Sequence, residues 1–210
     1  MFSDRVDAGD RLARLVKGKV APDSVVLGLP RGGVPVAARV SAALDLDLDV
    51  IVVRKVGLAT NSELAMGAVG EGGVVWVNHE VLGAYGVDAR SFESAAERER
   101  AEVARRVEAI RRVRPRVELA GRTAVIVDDG LATGSTARAA CGVARASGAS
   151  MVVLAVPVAP RGAHTELLGP ADEVIVAETP TTFFGVGQFY VDFSPTTEAE
   201  VFELLSRTDT

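Results

Sequence analysis

Residues 124–136, from Ala124 to Thr136, read AVIVDDGLATGST. An apolar run that closes at Val127 leads straight into two carboxylates, Asp128 and Asp129, and then into a turn of glycine and hydroxyl residues. Short, continuous apolar runs suit strands buried on both faces, and the segment that follows, Ser135 to Ser147, carries Ala, Val and Arg at helical spacing. The stretch is therefore a strand–turn–helix unit. Earlier in the chain VVLGLPRGGVPVA repeats the arrangement: a strand over Ser24 to Leu29, a Gly-containing turn, and a helix over Pro35 to Leu44. With Thr123 to Val127 as the strand of the first unit, further core strands are predicted at Asp49 to Val53, Ser150 to Val156 and Glu173 to Val176. Strands alternating with helices give an α/β fold, a parallel central sheet flanked by helices. Both turns fall at strand C-terminal ends, the edge where open parallel sheets bind ligands.

Two regions break the alternation. ELAMGAVGEGGVVWV, ending at Val77, predicts two strands joined around Gly70 to Gly73, a hairpin added to the sheet. SFESAAERERAEVARRVEAIRRV, Ser91 to Val113, predicts a long helix with Ser91 as N-cap and Pro115 beyond its end; its alternating Glu and Arg suit a solvated face, and the alternative is a helix that covers the sheet or meets a partner.

At 210 residues, 48% of them hydrophobic, the chain suits one domain, 1–210. Twenty-three Lys and Arg against 28 Asp and Glu leave a net charge of -5, which argues against nucleic acid as a partner, so a bound anion needs a local device. Cys141 is the sole cysteine, which excludes an internal disulfide framework and a multi-cysteine metal site and fits a reducing compartment. Asp4, Arg5, Asp7 and Asp10 interrupt the apolar residues near Met1. The expectation is a cytoplasmic protein without a membrane partner.

The turn Gly130 to Thr136 can aim successive backbone N–H groups inward, with Gly134 in a conformation other residues resist, and Ser135 and Thr136 add hydroxyl donors. Asp128 and Asp129 lie too near that nest to hold a phosphate themselves. They suit neutral hydroxyls, or a cation, on the same ligand. A sugar 5-phosphate meets both requirements.

VDDGLATGST resembles the 5-phosphoribosyl 1-pyrophosphate loop of type I phosphoribosyltransferases; it lacks the Gly-Lys-Ser/Thr of a Walker loop and the glycine spacing of a dinucleotide fingerprint. The resemblance implies that fold, with a helical insertion at about 79–115 and a small hood at about 178–210 completed by N-terminal residues near Phe2. It also implies roles. Asp128 and Asp129 hold the ribose 2- and 3-hydroxyls, and Gly130, Leu131, Ala132, Thr133, Gly134, Ser135 and Thr136 form the loop whose part from Ala132 onward binds the 5-phosphate. The turn Pro30, Arg31, Gly32, Gly33 receives pyrophosphate, often with a non-proline cis peptide; on its residues alone it fits a tight turn as well as an anion site, although paired glycines, Arg31 and a helix start suit an anion. VVRKVGLATNSELAMG, from Val52, resembles the start of a mobile lid, with Arg54 and Lys55 facing the leaving group, Gly57 to Ser62 excluding water and Glu63 assisting proton transfer.

The activity implied is transfer of phosphoribosyl to a small nitrogenous base, with release of pyrophosphate, as in nucleotide salvage. Magnesium is implied as a cofactor borne by the substrate, with Asp128 and Asp129 its nearest protein carboxylates, because no metal-ligand cluster stands in the sequence. His79 and His164 suit surface or cap positions. Ala132 occupies the place where 6-oxopurine enzymes carry an acid, which argues against hypoxanthine or guanine as acceptor. Phe183, Phe184, Phe189 and Tyr190 gather in the hood segment, where one can stack on a planar base and most pack the hood onto the core; Arg161, after the fourth core strand, is a further candidate. A homodimer is compatible with this reading. The alternative is a non-catalytic phosphoribosyl pyrophosphate or nucleotide sensor of the same fold. A diphosphokinase-type relative would need a nucleotide site that the sequence does not display.

Overall fold

The computed structural model describes residues 1–58 and 61–207, without the side chains of 61–63, 164 and 166. In chain order the elements are α1 (Arg5–Val16), β1 (Val25–Gly28), α2 (Gly33–Leu44), β2 (Asp47–Val50), β3 (Val53–Leu58), β4 (Asn61–Gly70), β5 (Val75–Val77), α3 (His79–Tyr85), α4 (Ala89–Arg111), β6 (Thr123–Val127), α5 (Ser135–Ala146), β7 (Met151–Val158), α6 (Ala163–Leu167), β8 (Glu173–Glu178) and α7 (Glu198–Ser206). Five strands form a parallel sheet in the order β2-β1-β6-β7-β8. Their side chains alternate between two cores, as strand geometry demands. Val26, Val125, Val127 and Val153 pack with Leu12 of α1 and Val36 and Val40 of α2, while Val25, Leu27, Ile126 and Leu154 pack with Ala140 and Cys141 of α5 on the other face. The α/β expectation holds, and β6 spans the residues read from the sequence.

The strand expected at Asp49 to Val53 is displaced. β2 takes its register from four-residue β1, pairing Val25 with Asp47 and Gly28 with Val50, so its ladder ends there and Val53 opens a different sheet. The hairpin expectation is corrected in the same region. β4 and β5 do pair antiparallel, but β4 also pairs with β3, and the three make a separate sheet instead of extending the main one. α5 covers one of its faces, where a Cβ on Gly142 would lie 2.2 Å from the Trp76 ring and a Cβ on Gly70 would lie 2.3 Å from Val143. α4 covers the other through Phe92, Ala96, Val103 and Ile110, which are buried in one core with Val56, Leu58, Met66 and Val69.

The charged helix thus covers a sheet with this apolar stripe and keeps most of its Glu and Arg at exposed or half-buried positions. Burying Phe92, Val103 and Ile110 gains about 1.5–3 kcal/mol each, well above what exposed ion pairs supply, so the stripe decides how the helix docks. Its N-cap is Asp88, whose side chain accepts from the Ser91 N–H; Ser91 itself lies inside the first turn. Near the other end Arg111 joins Asp49 of β2 at 2.7 Å to Glu71 at 2.5 Å, clamping helix, main sheet and small sheet together. No described helix is long and apolar enough to cross a membrane.

Candidate functional site

β1 and β6 are neighbours, so the turns that follow them emerge side by side. The Leu29 N–H donates to the Val127 carbonyl at 2.8 Å, carrying the ladder to the lip of the sheet. The Pro30–Arg31 peptide is cis, and α2 starts two residues later with a bond from the Gly33 N–H to the Leu29 carbonyl. A Cβ on Gly32 would sit 2.0 Å from Oδ2 of Asp129, and one on Gly33 would sit 2.5 Å from the Val127 carbonyl oxygen. Only glycine allows this approach. Beyond Asp129, buried Leu131 anchors the second turn, its N–H donating to the Val158 carbonyl at 2.9 Å, while Ala132, Thr133 and Thr136 are exposed. Gly134 caps α5 with φ 68, the left-handed region, and the first intrahelical bond runs from the Arg138 N–H to the Gly134 carbonyl. The N–H groups of Thr136 and Ala137 precede that bond, and the Thr133 and Ser135 hydroxyls stand 3.0 Å apart beside them. Such a helix start attracts an anion.

The two carboxylates differ in their partners. Oδ1 of Asp128 accepts the Asp129 N–H at 2.9 Å, and burial, reinforced by the neighbouring Asp129 charge, pushes this acid up to about 8. Asp129 is also raised by burial, against the opposing pull of the Arg5 guanidinium, whose Nε reaches Oδ2 at 2.9 Å. The Tyr190 hydroxyl donates to the Asp129 carbonyl at 2.6 Å, fixing the backbone beneath it.

A cavity of about 470 Å³ opens beside the paired turns, lined by Pro30, Arg31 and Thr136 and walled by Ile110 and Arg106 of α4 and Phe202 of α7. Phe183, Phe184, Phe189 and Tyr190 line none of it. Phe189 stacks on Phe183 with ring centroids 5.4 Å apart, Tyr190 meets fully buried Phe2 at 5.3 Å, and Phe184 alone of the four stands exposed, at 90%. Hydrogen bonds between Phe2 and Phe189 and between Val191 and Phe2 tie the chain start to this segment.

A family model described as "Phosphoribosyl transferase domain" matches residues 6–194. The chain belongs to this family. Proteins named "Putative phosphoribosyl transferase" in two strains of Mycobacterium tuberculosis, CDC 1551 / Oshkosh and ATCC 25618 / H37Rv, are each 49% identical to it over 207 residues, 99% of this chain and 47% of the relative. The phosphoribosyl transferase domain thus spans about half the length of the curated relatives it matches. The crystal structure of TT1426 from Thermus thermophilus is 42% identical, with a TM-score of 0.91 over 98% of this chain and 97% of that one.

In this phosphoribosyl transferase domain the residues expected at the sugar and pyrophosphate turns, Pro30 to Gly33 and Asp128 to Thr136, come together at one sheet edge. Arg54 and Lys55 leave opposite faces of β3. Across the antiparallel ladder Arg54 faces with Val69 toward α4, where its Nε bonds Glu99 at 2.9 Å, whereas Lys55 faces with Ala68 toward α5. The lid expectation at Gly57 to Ser62 falls partly outside the described residues; Gly57 and Leu58 end β3, and Leu58 is buried. The Glu63 and His164 side chains also lie outside them. His79 is exposed at the start of α3, and Arg161 is exposed after β7. Sequence reading missed Arg5, because nothing local announces an ion pair with Asp129. It missed Ile110 and Phe202 as cavity walls as well, although the apolar stripe of α4 was a usable signal.

Proposed function

We propose that this chain transfers the phosphoribosyl group of 5-phosphoribosyl 1-pyrophosphate to a small nitrogenous base and releases pyrophosphate. The observation that carries the reading is the closeness of Gly32 to the Asp129 carboxylate, which joins an anion-suited turn and a hydroxyl-suited acid pair in one site. In this reading the 5-phosphate takes the N–H groups of Thr136 and Ala137 and the hydroxyls of Thr133, Ser135 and Thr136. The ribose hydroxyls meet Asp128 and Asp129, and the pyrophosphate lies over the Pro30 to Gly33 turn. As the base nitrogen bonds to the anomeric carbon, the electrons of the breaking C–O bond pass to the pyrophosphate. Arg31 and the positive end of α2 meet charge that grows only then, so they favour the transition state over the bound substrate.

Magnesium fits the donor set. Carboxylate oxygens of Asp128 and Asp129 stand beside a ligand that brings phosphate oxygens of its own, and among the described residues no group of three or more His, Cys, Asp or Glu would make an all-protein cage. When bound, the ion would offset charge on the pyrophosphate.

Calorimetric titration with 5-phosphoribosyl 1-pyrophosphate, with and without magnesium, followed by pyrophosphate release against a panel of free bases, tests the proposal. Binding and release with at least one base are expected. Binding without release for any base would identify a sensor instead, and absence of binding would remove both readings.

A further inference from the structure

Arg5 opens α1, far in sequence from the turn it touches. Its side chain is only 12% exposed, and each guanidinium nitrogen has a partner. Nε and one terminal nitrogen both fall on Oδ2 of Asp129, at 2.9 and 2.8 Å, while the other terminal nitrogen donates to the Ser194 carbonyl at 2.7 Å. The guanidinium carbon also lies 4.1 Å from the centroid of the Phe193 ring. An arginine fork and a carboxylate commonly pair oxygen by oxygen in parallel. Here both contacts converge on a single oxygen, and no side-chain donor among the described residues reaches Oδ1. Oδ2 is further enclosed by the Gly32 backbone, and the Tyr190 hydroxyl holds the Asp129 carbonyl from behind. The carboxylate is thereby prevented from turning, with one oxygen committed to the protein and the other left for a ligand.

We infer that Arg5 is a positioning residue for the sugar: by holding Oδ2 of Asp129 it presents Oδ1 to a ribose hydroxyl. The inference rests on the phosphoribosyl reading of the site. It also gives the contact between the chain start and the hood a purpose beyond packing, since Ser194 and Phe193 aim the guanidinium.

The test compares affinities for ribose 5-phosphate and for its 2-deoxy and 3-deoxy analogues. They are measured by calorimetry on the whole chain and on Arg5→Met, Arg5→Gln and Arg5→Lys. In the wild type the ribose compound should bind more tightly than at least one analogue. In Arg5→Met that preference should fall toward one, through a loss of about tenfold or more in ribose 5-phosphate affinity with little loss for the analogue lacking the relevant hydroxyl. Arg5→Gln provides the same reading if Arg5→Met does not fold, and Arg5→Lys should restore more than half of the preference on a logarithmic scale. A merely structural tether would weaken all three sugars alike, so an unchanged preference in a folded, neutral variant overturns the inference. Failure of the wild type to bind any of the sugars would instead overturn the phosphoribosyl reading, and the role of Arg5 with it.

Discussion

Adjacent in the chain, Asp128 and Asp129 occupy different electrostatic settings. Burial and the neighbouring Asp129 charge raise Asp128 to about 8, whereas burial raises Asp129 against the opposing pull of Arg5. A carboxyl whose folded pKa exceeds its unfolded value of 3.8 stabilises the fold fully below about pH 4. That contribution is lost as pH rises through about 8. Thermal unfolding of the metal-free chain should therefore show a midpoint that falls between pH 5 and about 8, and Asp128→Asn should flatten the slope; parallel curves would remove this assignment. Asp128→Asn combined with Asp129→Asn should abolish sugar-phosphate binding with the circular dichroism spectrum retained. Gly32→Ala should act similarly from the opposite turn, because its methyl would displace the Asp129 carboxylate, and a loss of about tenfold or more in affinity is expected by calorimetry. Most of these residues were legible because one short motif holds both acids and the glycine- and hydroxyl-rich turn. Arg5 was not, since a lone arginine near Met1 looks the same whether it meets solvent or a buried acid.

Among the elements, α4 is held at two levels. Phe92, Val103 and Ile110 supply its adhesion, and Arg111 supplies its register by bridging Asp49, which is almost wholly buried, to Glu71. Burial acts to lower the Arg111 pKa, but the bonds to Glu71 and Asp49 outweigh it and hold the guanidinium above its ordinary value. Arg111→Met would leave Asp49 with the Val50 and Val117 N–H groups but without the Arg111 cation, at a cost of about 3–5 kcal/mol by urea denaturation. A cost within about 0.5 kcal/mol would show the clamp to be dispensable. Strand β6 could be read residue by residue because burial on both faces leaves an unbroken apolar run. The small sheet could not, since the pattern over Glu63 to Val77 specifies antiparallel pairing but not which third strand joins it. Val53, the start of that third strand, directly continues the apolar run of β2.

At the scale of the whole molecule, the first residues and the segment around Phe189 to Phe193 form one packed unit. Phe2 is fully buried against Tyr190 and shares a small core with Ala8 and Val158, so Phe2→Ala should cost about 3 kcal/mol in urea denaturation. It should also weaken sugar-phosphate binding, because Tyr190 and Arg5 are supported by the same unit; a stability loss with unaltered affinity would separate the two. The strand order β2-β1-β6-β7-β8 was beyond the sequence, because alternation of strands and helices fixes their parallel sense without fixing their neighbours. That order has a metric consequence. Adjacent parallel strands stand about 4.8 Å apart, and the bond from Leu29 to Val127 holds that interval up to the point where both turns begin. Under the proposed phosphoribosyl reading the two turns would therefore act as the fixed jaws of a calliper: a ligand whose anionic ends are one carbon too far apart, as in a hexose homologue, would seat one end and leave the other short of its donors.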